Sequence, residues 1–236
     1  MIQLVDRNGF RVLDHGMVAL VESMGSDLSV VRNARVSYNA EWRAGEDEGK
    51  DAKLIHYLVN NGHTSPFEAV KFTFEVKAPI FVLRQWHRHR TWSYNEISAR
   101  YAELPEEFYV PEPEMVGRQS ASNKQMRVIS EDDDQIAAIQ ATRIMHSQNR
   151  MAFDAYRELM GLGVPRELAR SVLPVATYSH MFATVDLHNL MHFLRLRLHQ
   201  HSQYEIQVYA QAILKIIQKV CPISVNAFCD KYGVAL

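Results

Sequence analysis

The stretch Phe72-Thr-Phe-Glu-Val76 alternates apolar and polar side chains, and Pro79-Ile-Phe-Val-Leu83 follows it almost at once. Strict alternation is typical of a strand with one buried face. A proline suits the first position of a helix, because an N–H at that position would have no partner within the helix. Ile80 and Leu83 lie at helical spacing, so both can face the same core. A strand that passes so quickly into a helix predicts a domain that mixes both kinds of element.

Helical spacing of apolar residues dominates the rest of the chain. Residues 17–22 are β-prone, whereas the polar residues 43–50 read as a loop. Gly62 is placed to end a helix, and Thr184 or Asp186 is placed to cap one. The expected helices cover about residues 27–37, 52–61, the stretch from the acidic run 131–134 to 159, 166–173, 187–202 and 204–219.

The region from residue 104 to residue 130 breaks this pattern. Three prolines, Pro105, Pro111 and Pro113, interrupt any regular element. We expect residues 112–130 to form an exposed, mobile loop. The chain contains neither an internal repeat nor a linker that would divide it. We therefore predict one helix-rich α+β domain over residues 1–236, with a small, mainly antiparallel sheet.

The composition excludes several classes of protein. Hydrophobic residues make up 47% of the 236 residues and charged residues 22%, so a large core is expected. The net charge of −1 argues against a protein that coats nucleic acid. The sequence has two cysteines and lacks a signal peptide or an apolar run long enough to span a bilayer. These features predict a cytoplasmic protein that binds neither membrane nor nucleic acid.

The segment from Arg84 to Tyr101 carries four arginines and two histidines within 18 residues. Like charges at this density repel one another unless an anion lies between them, and arginine forks match phosphate oxygens. Two other interpretations stay open from charge alone. The segment can be a solvated basic face, or it can bind RNA through arginines interleaved with Trp92, Tyr94 and Tyr101. The near-neutral net charge argues against the RNA interpretation.

The order of these residues is more specific than their composition. Arg88-His-Arg90, two variable residues, Ser93, and later Ser98-Ala-Arg100 resemble the signature of flavin-dependent thymidylate synthases. Further segments resemble the same family along nearly the whole chain, and the match is poorest in residues 112–130. These segments are residues 26–37, 62–68, 163–174 and 190–205.

The resemblance implies an activity, its cofactors and an assembly. Members of the family make dTMP from dUMP, with 5,10-methylenetetrahydrofolate as the carbon donor, reduced FAD as the hydride source and NADPH as the reductant of the flavin. They form homotetramers in which several subunits build each flavin site. The sequence lacks a Gly-x-Gly-x-x-Gly motif, which agrees with a flavin site outside the Rossmann fold.

The resemblance also implies roles for individual positions. For dUMP the implied residues are Gln85, Trp86, His87, Arg88, Glu96, Ile97, Ser98, Ala99, Arg100, Arg170 and Arg197. For FAD they are Ser37, His63, Ser65, Arg88, His89, Arg90, Asn95, Glu96, Asp186, His188, His192 and His201. Asp186, His188 and His192 stand where some relatives have asparagine or arginine. Arg166 and Arg170 alone would also suit an exposed helix stripe.

Arg197 is the predicted catalytic residue. Leu190, Leu194, Arg197 and His201 share one face of the expected helix over residues 187–202. An arginine on a leucine-bearing stripe requires a partner. In the family this arginine polarises the uracil ring, and a fixed cation there stabilises negative charge as the ring becomes reactive.

Two other chemistries are less consistent with the sequence. The pairs His188/His192 and His201/Glu205 have metal-ligand spacing, but there is no His-Glu-x-x-His motif, and neighbouring arginines add positive charge. We therefore predict no metal. Cys221 and Cys229 have no activating histidine near them in the sequence, so we expect both to be structural and not nucleophilic.

Overall fold

The computed structural model describes residues 2–6, 9–130 and 134–235. Its strands are β1 (Ile2–Asp6), β2 (Gly9–Val12), β3 (Gly16–Met24), β4 (Lys71–Pro79), β5 (Ser93–Glu96), β6 (Arg118–Gln119), β7 (Arg127–Val128) and β8 (Tyr178–Asp186). The main sheet has six strands in the order β1-β2-β3-β4-β8-β5, and each neighbouring pair is antiparallel. A separate two-stranded hairpin is formed by β6 and β7.

Eight α-helices accompany these strands in the described residues, which confirms the predicted helix-rich α+β class. The helices are α1 (Asp27–Arg35), α2 (Glu48–Asn61), α3 (Ile80–Trp86), α4 (Gln135–Gly161), α5 (Arg166–Ala169), α6 (Leu187–Arg197), α7 (Tyr204–Ile217) and α8 (Pro222–Tyr232). None of the helices in this part of the chain is long and apolar enough to cross a membrane.

Strand β4 lies in the interior of the sheet. It pairs with β3 on one side and along its full length with β8 on the other, from Lys71 opposite Asp186 to Pro79 opposite Tyr178. The predicted alternation is confirmed, because Phe72, Phe74 and Val76 are buried in the core. Pro79 ends the strand and immediately precedes α3, so the position of β4 fixes where the arginine-rich segment begins.

Helix α7 supplies much of the core beneath the sheet. Ile206, Ala210, Ile213 and Ile217 are fully buried, as their spacing predicts. Tyr209 is also fully buried, and its hydroxyl donates to the backbone oxygen of Lys77 in β4 across 2.6 Å. This bond satisfies the polar end of a buried tyrosine and ties α7 to the central strands.

The helix ends follow local chemistry. Gly62 adopts a left-handed conformation (φ 70°) after α2, as its position predicts. Asp47 caps the start of α2 through the backbone N–H of Lys50, so this helix begins inside the segment expected to be a loop. Asp134 caps α4 and Asp186 caps α6 in the same way, while residues 131–133 of the predicted acidic run lie outside the described residues.

The structure corrects several expectations. The helix expected over residues 187–202 ends at Arg197, so His201 lies in the following turn and not on the helix face of Arg197. The loop over residues 112–130 contains the β6–β7 hairpin, and Ser120 within it is buried. Strands β1, β2, β5 and β8 and helix α8 were not predicted. Short polar or mixed segments become strands here because neighbouring strands supply their hydrogen-bond partners.

Candidate active site

The arginine-rich segment wraps around the end of α3 and returns as the edge strand β5. Ser93 to Glu96 pair with β8 from Thr184 to Met181, and residues 87–92 form the turn between α3 and β5. Along this turn His89 is buried, while Arg88 and Arg90 on either side are exposed. The segment therefore presents two guanidinium groups to solvent and turns one imidazole inward.

Two tryptophans anchor the segment in the core. The Trp86 side chain is fully buried, with ring centroids 5.0 Å from Phe193 and 5.8 Å from Trp92. Trp92 is also buried, so its ring is not exposed for stacking on a base, as the RNA interpretation requires. Trp86 stands among the positions predicted to hold dUMP, but its indole is buried in the core.

Arg197 is the last residue of α6, and its guanidinium reaches back to the arginine-rich segment. Its Nε donates to Nε2 of His89 across 3.0 Å, and its Nη2 donates to the backbone oxygen of Gln85 across 2.9 Å. The side chain is half-buried, and burial lowers the pKa of its guanidinium below the ordinary value. The structure thus joins three residues that the family resemblance implied, Gln85, His89 and Arg197.

His89 is held in its neutral form. Burial is the main cause that lowers its pKa to about 4, and the positive charge of Arg197 and the neighbouring His192 lower it further. A neutral imidazole has one acceptor nitrogen, and here that nitrogen accepts from Arg197. The ring also packs edge-on against Phe193 at 4.9 Å, which fixes its orientation.

A second group of predicted residues lines a cavity between α2, α6 and α8. His63, His188 and His192 lie on its wall together with Arg195 and Lys231. Burial is the largest cause that lowers the pKa of His192, followed by the charges of Arg195 and His188. The cavity therefore combines basic groups with apolar walls, and it lies next to the Arg197 cluster because His89 and His192 have ring centroids 6.1 Å apart.

A third group forms where the segment leaves β5. Arg100 lies 3.2 Å from the carboxylate of Glu167, and Arg170 donates through Nε to the backbone oxygen of Glu167 across 3.3 Å. Both arginines are exposed. They stand 70 positions apart in the sequence. Arg100 therefore contacts the carboxylate of Glu167, whereas Arg170 contacts its backbone oxygen.

The remaining residues predicted to bind dUMP or FAD differ in their hydrogen bonds and in their exposure to solvent. Glu96 accepts a hydrogen bond from the hydroxyl of Ser179, and Asp186 is occupied by its capping bonds to Asn189. Those with exposed side chains are Ser37, His63, Ser65, Arg88, Arg90, Asn95, Glu96, Ile97, Arg100, Arg170, His192 and His201. Those partly buried are Gln85, His87, Ser98, Asp186, His188 and Arg197, and those buried are Trp86, His89 and Ala99.

The chain is similar to known proteins over most of its length. Residues 19–223 match the family model Thy1, described as thymidylate synthase complementing protein. A relative from Thermotoga neapolitana, named flavin-dependent thymidylate synthase, is 48% identical over 217 residues, which are 92% of this chain and 92% of the relative. A relative of the same name from Wolbachia pipientis wMel is 44% identical and is matched over 93% of this chain and 76% of its own length.

This chain belongs to the flavin-dependent thymidylate synthase family. A solved structure agrees, since the UMP/dUMP methylase PolB from Streptomyces cacaoi, bound with 5-Br dUMP, gives a TM-score of 0.84 at 38% sequence identity. That alignment covers 96% of this chain and 100% of PolB. The resemblance inferred from the residues around Arg88 and Arg100 is confirmed, and so is the prediction that the chain is an enzyme.

Sequence reasoning missed one polar cluster beside this family's motif. The Gln85 side chain donates to Gln203, which in turn donates to the buried carboxylate of Glu205 across 2.8 Å. Glu205 also accepts from Arg127 across 2.8 Å. One signal was available, because Glu205 is an acidic residue at the start of the otherwise apolar helix α7. Its partner on the β6–β7 hairpin was not deducible from spacing.

Both cysteines lie inside the fold of this family member. Cys221 is fully buried and Cys229 nearly so. Burial, followed by the charge of Asp27, raises the pKa of the Cys221 thiol to about 12, and burial also raises the pKa of Cys229. Among the described residues, no group of three or more histidine, cysteine or acidic side chains is arranged to hold a metal ion.

Proposed function

We propose that this chain converts dUMP to dTMP, with methylenetetrahydrofolate as the carbon donor and with FAD, reduced by NADPH, as the hydride source. Membership of the flavin-dependent thymidylate synthase family supports the reaction class. The structural similarity to PolB, a UMP/dUMP methylase, supports a uridine nucleotide as the substrate.

One observation carries the proposal for the reacting centre. Arg197 donates only to neutral groups in the described part of the chain, namely the imidazole of His89 and the backbone oxygen of Gln85. No carboxylate among the described residues forms an ion pair with it. Its positive charge is therefore half-buried and uncompensated, which is costly unless an anionic partner completes the site.

We infer that this partner is the pyrimidine ring of dUMP. A uracil ring that loses its N3 proton, or that gains electron density as C5 becomes nucleophilic, places negative charge on its oxygens. A preorganised guanidinium stabilises that charge without reorganisation at the moment of reaction. His89 and Gln85 hold Arg197 from two sides, so they fix the direction in which its remaining N–H groups point.

The phosphate of dUMP is assigned to the exposed arginine pair. Arg100 contacts the side chain of Glu167 and Arg170 its backbone oxygen, and Ser98 lies two residues before Arg100. A dianionic phosphate attracts both guanidinium groups more strongly than one solvated carboxylate does. We propose that Arg100 exchanges Glu167 for the phosphate when dUMP binds.

The cavity beside α6 has the chemistry that FAD requires. His63, His188, Arg195 and Lys231 offer donors to a pyrophosphate, and Tyr232 and Met191 offer apolar contact to a ring system; these six residues line one cavity. A side-chain site of this kind fits the absence of a Gly-x-Gly-x-x-Gly motif. When bound, the flavin supplies the hydride that reduces the new one-carbon group, and NADPH restores it. Arg195 would hold the cofactor by charge, His188 would orient it, and Lys231, whose ammonium already donates to the backbone oxygen of Val59, would add positive charge.

The proposed reaction proceeds without a protein thiolate. A cysteine nucleophile must be ionised and accessible, and here both thiols are buried with raised pKa values. The activation of the pyrimidine then rests on Arg197.

We further propose that the enzyme is a cytoplasmic homotetramer with shared active sites, as the family resemblance implies. Many of the residues assigned to dUMP or FAD are exposed in the single chain, including Arg88, Arg90 and Arg170. Neighbouring subunits would cover these groups and supply the walls that one chain lacks.

The proposal is tested with purified protein. We expect a yellow protein with flavin absorbance that oxidises NADPH and forms dTMP when dUMP and methylenetetrahydrofolate are present. UMP is tested beside dUMP, because PolB is named a UMP/dUMP methylase. A colourless protein that neither takes up added FAD nor binds dUMP would contradict the proposal.

A further inference from the structure

Glu205 is an acidic residue buried at the start of α7, with 1% of its surface exposed. Three groups donate to its carboxylate: the hydroxyl of Tyr109 across 3.1 Å, Nη2 of Arg127 across 2.8 Å and Nε2 of Gln203 across 2.8 Å. A buried carboxylate is tolerated only when its charge is paired and its oxygens accept hydrogen bonds. Arg127 is the cation that supplies this pairing.

Arg127 belongs to the β6–β7 hairpin, far from Glu205 in the sequence. The hairpin is held by its own bonds, since Ser120 N–H donates to Met126 O across 2.9 Å and the Gln119 side chain donates to the same oxygen across 3.0 Å. The Arg127 guanidinium also lies over the ring of Tyr204 at 5.5 Å. Arg127 therefore ties the hairpin to the start of α7.

The ion pair between Arg127 and Glu205 also determines the orientation of Gln85. A carboxylate accepts but does not donate, so Gln203 must turn its NH2 group toward Glu205. The carbonyl oxygen of the Gln203 amide then faces Gln85 and accepts from the NH2 group of the Gln85 amide. In consequence, the amide oxygen of Gln85 stays available as an acceptor at the site.

We propose that Arg127 and Glu205 are positioning residues for the substrate, which act through Gln203 on Gln85. This inference rests on the proposed function, in which Gln85 contacts dUMP. The docked hairpin supplies the positive charge that pairs with the buried Glu205 carboxylate, and this carboxylate fixes the direction of the two amides. The segment around Arg127 thereby gains a role in substrate binding, although the sequence pattern implied none for it.

The test compares three variants of the full-length, flavin-loaded enzyme. In Arg127→Ala, Gln203 and Gln85 lose their fixed orientation, and we expect kcat/KM for dUMP to fall about 10-fold to 100-fold, mainly through KM. Arg127→Lys keeps the charge and should recover most of the loss. Lys124→Ala is the matched control, since it removes an exposed cation from the same hairpin and should leave KM near that of the parent.

A merely structural role makes a different prediction. If Arg127 only stabilised the fold, Arg127→Ala would lower the amount of active enzyme and its melting temperature while leaving KM for dUMP unchanged. A double-mutant cycle with Gln203→Ala separates the two cases, because residues that act through one chain of contacts give non-additive effects on dUMP binding. Additive effects, or an unchanged KM in Arg127→Ala, would overturn the inference. If the unmodified enzyme failed to bind dUMP, the proposed function itself would fail instead.

Discussion

Arg197 and His89 stand 108 positions apart and are joined by one hydrogen bond of 3.0 Å, from a charged guanidinium to a neutral imidazole. The direction of this bond follows from charge, since an arginine can only donate and a histidine must be neutral to accept. Burial, the largest cause, and the charge of Arg197 both favour the neutral ring, and together with His192 they lower the pKa of His89 to about 4. The bond therefore holds a cation in place without neutralising it.

Removal of this cation should sharply reduce turnover without unfolding the protein. We expect Arg197→Ala to lower kcat by about 10²-fold to 10³-fold, because an oriented charge that stabilises a transition state contributes roughly 3–4 kcal/mol. Flavin absorbance and the melting temperature should stay close to those of the parent. Arg143→Ala, which removes an exposed arginine from α4, is the control. Normal turnover in Arg197→Ala would exclude this residue from the mechanism.

The His89 imidazole should make stability depend on pH. Its pKa is about 4 in the fold and near 6.5 in the unfolded chain, so the unfolded state binds the proton first as pH falls. This contribution to the free energy of unfolding is complete above pH 6.5 and is lost progressively as pH falls toward 4. His89→Gln keeps an acceptor for Arg197 but does not titrate. Denaturant titrations above pH 6.5 and near pH 4 should show that His89→Gln loses less unfolding free energy on acidification than the parent does. Equal losses in the two proteins would contradict the assignment.

The arginine pair near Glu167 should recognise the phosphate and not the base. We expect Arg100→Ala to weaken dUMP binding about 10-fold to 100-fold, because a hydrogen bond to a charged group contributes about 1.5–3 kcal/mol. The same variant should bind deoxyuridine, which lacks the phosphate, as well as the parent does. Calorimetry with both ligands measures the difference, and equal losses for the two ligands would place Arg100 elsewhere.

Glu167 provides the matched comparison for that experiment. It pairs with Arg100 across 3.2 Å in an exposed position. Since exposed ion pairs contribute at most about 1 kcal/mol, Glu167→Gln should leave dUMP affinity unchanged or raise it by no more than about fivefold. A marked loss of affinity would show that the carboxylate assists binding and does not compete with the phosphate.

The cap of α6 should be a stability feature that asparagine can replace. Asp186 accepts from the backbone N–H of Asn189 across 2.9 Å. Loss of this cap in Asp186→Ala should cost about 1 kcal/mol of the free energy of unfolding, whereas Asp186→Asn should cost little, because both side chains cap well. Thermal unfolding of the two variants measures this. Equal destabilisation would mean that the negative charge itself is required.

The cysteines should be dispensable for chemistry. Cys221→Ala and Cys229→Ala remove thiols that burial keeps protonated, so each variant should retain its kcat. Cys221→Ala should lower stability modestly, because it leaves a small cavity in the core. A folded variant without turnover would reopen a thiolate mechanism.

Local sequence was sufficient for the elements whose pattern repeats within a few residues. The alternation around Phe72 and Phe74 predicted β4, the apolar stripe with Ile206 and Ile213 predicted α7, and Gly62 marked the end of α2. The ordered motif from Arg88 to Arg100 predicted the family, because the spacing of its residues can be read from the sequence without knowing their tertiary contacts. Short strands such as β5 escaped prediction, since their stability comes from pairing with β8 and not from propensity.

Only the tertiary structure decided which of these residues meet. The end of α6 at Arg197 brings its guanidinium to His89, whereas the predicted longer helix would have placed His201 on the same face. The hairpin sets Arg127 on the buried carboxylate of Glu205, and no spacing rule links two residues so far apart. Such contacts depend on strand register and helix packing across the whole chain. The sequence therefore determined the kinds of groups at the site, and the fold determined their partners, charge states and directions.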